Sequence, residues 1–257
     1  MNIKISVTII TLNEEKNIAK CLEKLSFADE IIVIDSGSVD KTIEICNEYK
    51  AKVIHNKFEN YGLQKQFAVN QTKNDWVLSL DADEVLSNEL VDEIINLNFS
   101  DATDGYLVPR THVFMNKVFK YGGENKRPIL RIFNKKKGRF IPNKVHEVIE
   151  VEGKLGILKN EMLHYTVSDF SDAINKEIKY SLLGGEFLFE KGKKASLFKI
   201  IVKLPFEFFK VYFLQLNLLN GFQGYVWAVT KSIGSMVKYI KLYELDCLKI
   251  KDFYNNP

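Results

Sequence analysis

Three carboxylates fall within four positions at Asp81-Ala82-Asp83-Glu84, directly after the run Trp76-Val77-Leu78-Ser79-Leu80. Crowding Asp81, Asp83 and Glu84 together is electrostatically costly unless something cationic sits among them. The run before them reads as a buried strand, and strand residues alternate faces. If that geometry persists, Asp81 and Asp83 point the same way. Two oxygen donors at the carboxyl end of a strand suit a hard divalent cation such as Mg²⁺ or Mn²⁺. Taken alone, a D-x-D reads at least as readily as a polar loop that merely ends a strand, so its neighbours must decide.

The preceding sequence supplies elements that could position such a site. Residues 4–10 form a short apolar run rich in β-branched residues, which predicts a strand. Asn13 can cap a helix with Glu14 and Glu15 in its first turn, and Ile18, Cys21, Leu22 and Leu25 recur at helical spacing. A second strand over residues 30–34 ends in Asp35-Ser36-Gly37-Ser38, and a helix with Ile43 and Cys46 inward follows. Residues 51–55 predict a third strand. A helix through Leu63, Phe67 and Asn70 leads to the acidic strand, and Ser87 can cap a further helix carrying Leu90, Ile94 and Leu97. Apolar strands alternating with amphipathic helices give a mostly parallel sheet covered on both faces. In such sheets ligands bind beyond the carboxyl ends of the strands. Those ends are Thr11-Leu12-Asn13-Glu14, Asp35-Ser36-Gly37-Ser38 and Asp81-Ala82-Asp83, and all three should line one crevice.

Several nucleotide-binding classes are disfavoured. The first strand-to-helix turn lacks the G-x-G-x-x-G of a dinucleotide site, and no G-x-x-x-x-G-K-[ST] loop is present. Nucleotidyltransferases with a strand-end carboxylate carry a Gly- and Arg-rich first loop, whereas this loop is acidic. A nucleotide site that holds its diphosphate through a metal remains. From Gly105 the texture becomes mixed or antiparallel. A strand there ends or edges at Pro109, residues 129–140 read as a hairpin across Lys135-Lys136-Lys137-Gly138, and Val145-His146-Glu147-Val148 and Leu163-His164-Tyr165 follow.

With the three strand-end motifs in this order, the chain resembles the family 2 glycosyltransferases of the GT-A fold over about residues 3–180. The family's Ala-Arg-Asn appears here as Gln64-Lys65-Gln66, which keeps the charge and loses the guanidinium fork. Gly122-Gly123, Arg131-Ile132-Phe133, Val145-His146-Glu147 and Leu163-His164-Tyr165 are similar to those of bacterial lipopolysaccharide core glucosyltransferases. The resemblance implies a Rossmann-like, mostly parallel sheet with a mixed acceptor-side half and a helical C-terminal extension, divided at about residues 1–100, 101–185 and 186–257. It implies transfer of a hexose from a UDP-sugar with inversion, onto a lipopolysaccharide or lipooligosaccharide inner-core sugar. A polyprenyl-linked or other glycan acceptor, or a non-catalytic sugar-nucleotide binding protein, are the alternatives. The donor would lie against Thr11, Asn13, Glu14, Asp35, Lys65 and Asp81. Mg²⁺ or Mn²⁺ would be held by Asp81 and Asp83, with His164 completing the shell. Inversion needs a base for the acceptor hydroxyl, and Glu147 or Glu124 could supply it. Arg127 and Arg131 could reach a phosphate or be simply solvated.

The rest of the composition fits this. Cys21, Cys46 and Cys247 are widely spaced, which favours buried thiols over disulfides. The first residues run straight into a strand pattern, so no signal peptide is expected. Residues 190–257 hold eleven Lys against five acids, a charge of +6, which leaves −3 for residues 1–189 in a chain of net +3. In the tail, Lys199, Lys203, Glu207 and Lys210 form one polar stripe among apolar residues, with Pro205 expected to kink or restart the helix. The charges argue against a membrane span. A helix in the membrane interface fits better, with Tyr225, Trp227 and Tyr239 at the headgroup level. Lys135-Lys136-Lys137 would add to that surface. A cytoplasmic protein peripheral on the inner membrane, with a lipid-linked glycan acceptor and no nucleic-acid partner, is the resulting expectation.

Overall fold

The computed structural model describes residues 4–99, 103–123, 125–141, 148–167 and 169–255, with side chains described as far as residue 248. Two compact units are present: Met1–His112 with Lys126–Tyr165, and Val113–Asn125 with Thr166–Pro257.

The first unit is built on parallel strands β1 (Ile5–Thr11), β2 (Glu30–Asp35), β3 (Lys52–His55) and β4 (Trp76–Asp81), in the order β3-β2-β1-β4. Ile5, Val7 and Ile9 on one face of β1 and Ser6 and Thr8 on the other are all at most 1% exposed. Both faces of this central strand are covered, which is why it reads as a nearly continuous apolar run. Because β2 and β4 flank β1 on opposite sides, their carboxyl ends form a topological switch point. The register sets those ends level: Thr11 pairs with Asp35, Asp35 with His55, and Ile10 with Asp81.

The expected continuation of strand alternation through Asp83 does not occur. β4 stops at Asp81, Ala82 and Asp83 form a turn, and β5 (Glu84–Leu86) begins at once. β5 pairs with β12 (Met162–His164), β12 with β6 (Gly105–Phe114), β6 with β8 (Arg127–Asn134), and β8 closes back on β4. Strands joined by two residues thus lie at opposite ends of a five-strand path. The sheet must curl round the acidic turn, so that β6, β8 and β12 can each direct a side chain at it.

The intervening helices are α1 (Ile18–Leu22), α2 (Thr42–Glu48), α3 (Tyr61–Asn70) and α4 (Asn88–Ile95). Ser87 caps α4 as expected, accepting from the Leu90 N–H at 3.1 Å. Asn13 does not cap α1; Asn17 occupies that position, and Asn13 sits in the left-handed region at φ 55°. Pro109 does not end β6. It falls between the residues that pair with β11 (Leu155–Ile157) and those that pair with β12, and it faces Pro128 of β8, so its missing N–H costs no ladder bond. The expected hairpin over residues 129–140 is absent as well. β9 (Gly138–Ile141) leaves the main sheet and pairs with β10 (Val148–Val151), where Phe133 and Phe140 pack edge to face at 5.9 Å.

In the second unit, β7 (Lys117–Val118) folds back on the end of β6, and three helices follow: α5 (Phe170–Glu190), α6 (Leu197–Phe209) and α7 (Phe222–Asn255). Phe114, Phe119 and Trp227 form its aromatic centre, with Phe114 and Trp227 rings 5.5 Å apart. Trp227 is therefore a packing residue rather than a free interfacial one. Pro205 is accommodated inside α6 without a break, and a π turn (Lys210–Leu214) follows it.

Candidate active site

The acidic turn is held by buried cations. Lys65 Nζ lies 2.7 Å from Asp81 Oδ1, and an Arg131 guanidinium nitrogen lies 2.9 Å from Asp81 Oδ2 and 2.6 Å from Glu84 Oε1. Glu84 Oε2 accepts the backbone N–H of Asp81 at 3.1 Å, and Arg110 approaches Glu84 at 3.7 Å. Lys65 is 1% exposed, Arg131 4% and Glu84 0%. Desolvation opposes ionisation of Asp81, but the charges of Lys65 and Arg131 prevail and hold its carboxyl well below the usual range. Cys21 lies behind the turn, its Sγ 4.0 Å from the Asp81 carbonyl. Burial, then the neighbouring carboxylates Glu84, Asp83 and Asp81, push that thiol well up, so it is not a nucleophile.

Asp83 has a different partner. Its Oδ2 is 3.3 Å from His164 Nε2, both side chains are 15% exposed, and its carbonyl accepts the Tyr165 N–H at 2.8 Å. β12 thus brings a late histidine against the turn. As an oxygen and an imidazole nitrogen this close together, Asp83 and His164 can share a proton or a divalent cation. No group of three His, Cys, Asp or Glu suited to a metal occurs among the described residues, since Asp81 is drawn to Lys65 and Arg131 instead.

The ends of β1 and β2 are latched to each other. The Asn13 N–H donates to Ser38 Oγ at 2.9 Å, and Asn13 Oδ1 accepts from the Val39 N–H at 2.9 Å. The Glu14 N–H donates to Thr42 Oγ1 at 2.8 Å. Asp35, 1% exposed, accepts from the Gly37 N–H at 2.8 Å, the Ser38 N–H at 3.1 Å and the Ser38 hydroxyl at 2.5 Å, which shapes the loop after β2. From α3, Gln64 donates to Ser36 Oγ at 3.0 Å. Thr11 Oγ1 is buried and has no hydrogen-bond partner among the described residues.

Lys65 and Asp81 are in direct contact, Asp83 and His164 meet on the next residues of the same turn, and Thr11, Asn13, Glu14 and Asp35 occupy the level strand ends beside it. Glu147, Glu124 and His146 lie outside the described residues. The expectation that Arg131 might be a solvated strand residue is corrected: it is the buried partner of two carboxylates. The signal was present in Ile129-Leu130-Arg131-Ile132-Phe133, because an arginine inside an apolar run must find a buried counter-charge, and the acidic turn supplies it.

Comparison with known proteins shows the family to which the chain belongs. Residues 6–151 match the model of "Glycosyl transferase family 2". The lipopolysaccharide core biosynthesis glycosyltransferase LpsC of Rhizobium meliloti is 32% identical over 257 residues, covering 96% of this chain and 94% of its own. An uncharacterized glycosyltransferase of Rickettsia typhi is 33% identical over 259 residues, covering 94% of this chain and 87% of its own. Among solved structures, S. aureus TarS 1-349 is 16% identical with a TM-score of 0.48 and covers 92% of this chain and 90% of its own. With a family match across more than half of its length and relatives a third identical along nearly all of it, this chain belongs to glycosyl transferase family 2 and is a glycosyltransferase.

Proposed function

We propose that this enzyme transfers a hexose, glucose from UDP-glucose, to an inner-core sugar of lipopolysaccharide or lipooligosaccharide, with inversion and with Mg²⁺ or Mn²⁺ as cofactor. The observation that carries the reading is the near full-length match to a lipopolysaccharide core biosynthesis glycosyltransferase. The metal reading rests on Asp83 and His164, which fit a divalent cation: their donor atoms lie 3.3 Å apart at the carboxyl ends of the sheet. The imidazole favours Mn²⁺ over the oxygen-seeking Mg²⁺. A bound cation supplies Lewis acidity that neutralises the departing diphosphate.

The chain's own residues divide the remaining work. Lys65 and Arg131 keep Asp81 ionised and fixed, so that it can accept from the donor ribose. Thr11, Asn13, Glu14 and Asp35 form the base-binding side, with the Asn13–Ser38 latch setting the spacing of the two loops. Glu147, immediately before β10, takes the acceptor hydroxyl proton, with Glu124 the alternative base. A core sugar anchored on lipid places the enzyme on the cytoplasmic face of the inner membrane as a peripheral protein, with its C-terminal tail toward the lipid.

The test is donor turnover. UDP-hexoses are incubated with Mn²⁺ and a purified core-oligosaccharide acceptor, and UDP release and the glycan product are followed by mass spectrometry. Glucose transfer by the parent, lost in Asp83→Ala together with Mn²⁺ binding by calorimetry, is the expected outcome. Unimpaired turnover in Asp83→Ala would sink the metal assignment, and no donor consumed with any core acceptor would sink the substrate assignment. Glu147→Gln should slow transfer about 10²- to 10⁴-fold, while Glu124→Gln should not.

A further inference from the structure

The second unit leaves an apolar face uncovered. On α6, Leu197, Phe198, Ile201 and Phe206 are 60%, 76%, 71% and 55% exposed, and the face continues through Phe209, Phe213, Leu214 and Phe222. Phe198, Val202, Phe206, Phe209 and Phe213 are spaced by four, four, three and four residues, so they form one stripe along the helix and its π turn. So many large apolar side chains in one stretch mark an interaction surface rather than scattered exposure.

The opposite side of α6 is already occupied. Lys199 and Lys203 place their ammonium groups 4.7 and 5.5 Å from the ring centre of Tyr239 on α7, and Glu207 pairs with Lys203 at 3.2 Å and Lys210 at 2.8 Å. The polar stripe therefore packs on Tyr239 within the unit, while Lys191, Lys193, Lys194 and Lys199 stay exposed to solvent. The surface left over is aliphatic and phenylalanine-rich. Its surroundings are basic: residues 191–222 contain six lysines against one glutamate.

Charge selects the occupant. A second copy would bring the same excess of lysines to the contact and be repelled. An anionic lipid surface offers apolar depth to the stripe and phosphates to the lysines. No helix among the described residues is long and apolar enough to cross a membrane, which leaves a helix lying in the interface. We propose that α6, the π turn and the segment to Phe222 form a monotopic insertion face for an anionic bilayer, α7 serving as its backing rather than as a second contact. This deepens, and rests on, the lipid-linked acceptor proposed above.

The experiment is flotation of the full chain with phosphatidylglycerol-containing vesicles and with pure phosphatidylcholine vesicles, alongside Phe198→Asp/Ile201→Asp and a control, Ile157→Asp, which alters an exposed apolar residue of the first unit. Circular dichroism confirms that each folds. The parent and the control should float with anionic vesicles, and the double variant should bind at least about tenfold more weakly. Failure of the parent to float, or equal flotation of the double variant, would overturn the proposal. So would a parent dimer, seen by sedimentation velocity, that the double variant abolishes without any vesicle binding. Transfer to a detergent-solubilised acceptor is read in parallel: its absence in the parent counts against the lipopolysaccharide reading and not against insertion.

Discussion

Arg131 joins the acidic turn to the rest of the sheet. One guanidinium nitrogen bridges Asp81 and Glu84, and Glu84 in turn accepts the Asp81 N–H. Removing the guanidinium leaves Glu84, which is fully buried, with the Asp81 N–H and, among the cations of the described residues, Arg110 at 3.7 Å. Arg131→Met should therefore cost roughly 3–5 kcal/mol, the penalty for breaking a buried ion pair from one side. The cost should depend on pH in a defined direction. Asp81 is held below its ordinary value, so its pairing stabilises the parent above the unfolded carboxylate pKa, about 3.9, and is lost as pH falls through the depressed folded value. The gap between parent and variant in urea melts should thus be full at pH 7 and narrow in acid; a gap that widens in acid would refute the assignment. His164→Ala probes the other side of the turn. It should weaken Mn²⁺ binding by at least about tenfold with little loss of stability, because His164 is partly exposed.

At the scale of elements, the order of strands and helices through α4 was readable from apolar runs and turn residues, because those patterns are local. What the sequence hid were the long-range partners. The sequence predicts a helix through Leu63, Phe67 and Asn70, yet in α3 Leu63 is 40% exposed while Gln64 and Lys65 are buried at 1%. Hydrophobic periodicity cannot register that Lys65 meets a carboxylate sixteen residues on, or that Gln64 meets Ser36. The same blindness turned residues 129–140 into a hairpin, although Gly138–Ile141 pairs with β10 instead. In the site, the carboxylates and their order were legible; their pairing with Lys65 and Arg131 was not, since it depends on how the sheet curls. Helix packing in the second unit is equally non-local. A Cβ at Gly185 of α5 would lie 2.8 Å from the Lys238 carbonyl on α7, and one at Gly234 of α7 would lie 2.4 Å from Glu177 Cγ on α5. Gly185→Val should therefore force the two helices apart and destabilise by about 1–3 kcal/mol, read as a lower melting temperature, whereas Gly192→Ala in the loop after α5 meets no neighbour and should show only the smaller strain of its positive φ.

For the whole molecule, charge separates two tasks. Residues 1–189 carry −3, so under the proposed function a nucleotide diphosphate is not drawn to them by net charge and would need a local cation, the role proposed for Asp83 and His164. Residues 190–257 carry +6 beside an exposed apolar stripe, which suits anionic lipid. The two tasks should respond differently to salt. Lysines around the α6 face are mostly exposed, and their attraction to lipid falls off over a Debye length of about 10 Å at 0.1 M salt and about 3 Å at 1 M. Lys65, Arg131 and Glu84 are buried and Asp81 is only 26% exposed, so the Lys65–Asp81 and Arg131–Glu84 pairs are little screened. Raising NaCl from about 0.05 to 0.5 M should release most of the protein from anionic vesicles, while transfer to a detergent-solubilised acceptor changes by less than about twofold. Flotation and transfer measured on the same preparation across that range would check this. If both fell together, exposed lysines rather than a buried network would be governing the donor site, and the division of labour between the acidic and basic parts would be wrong.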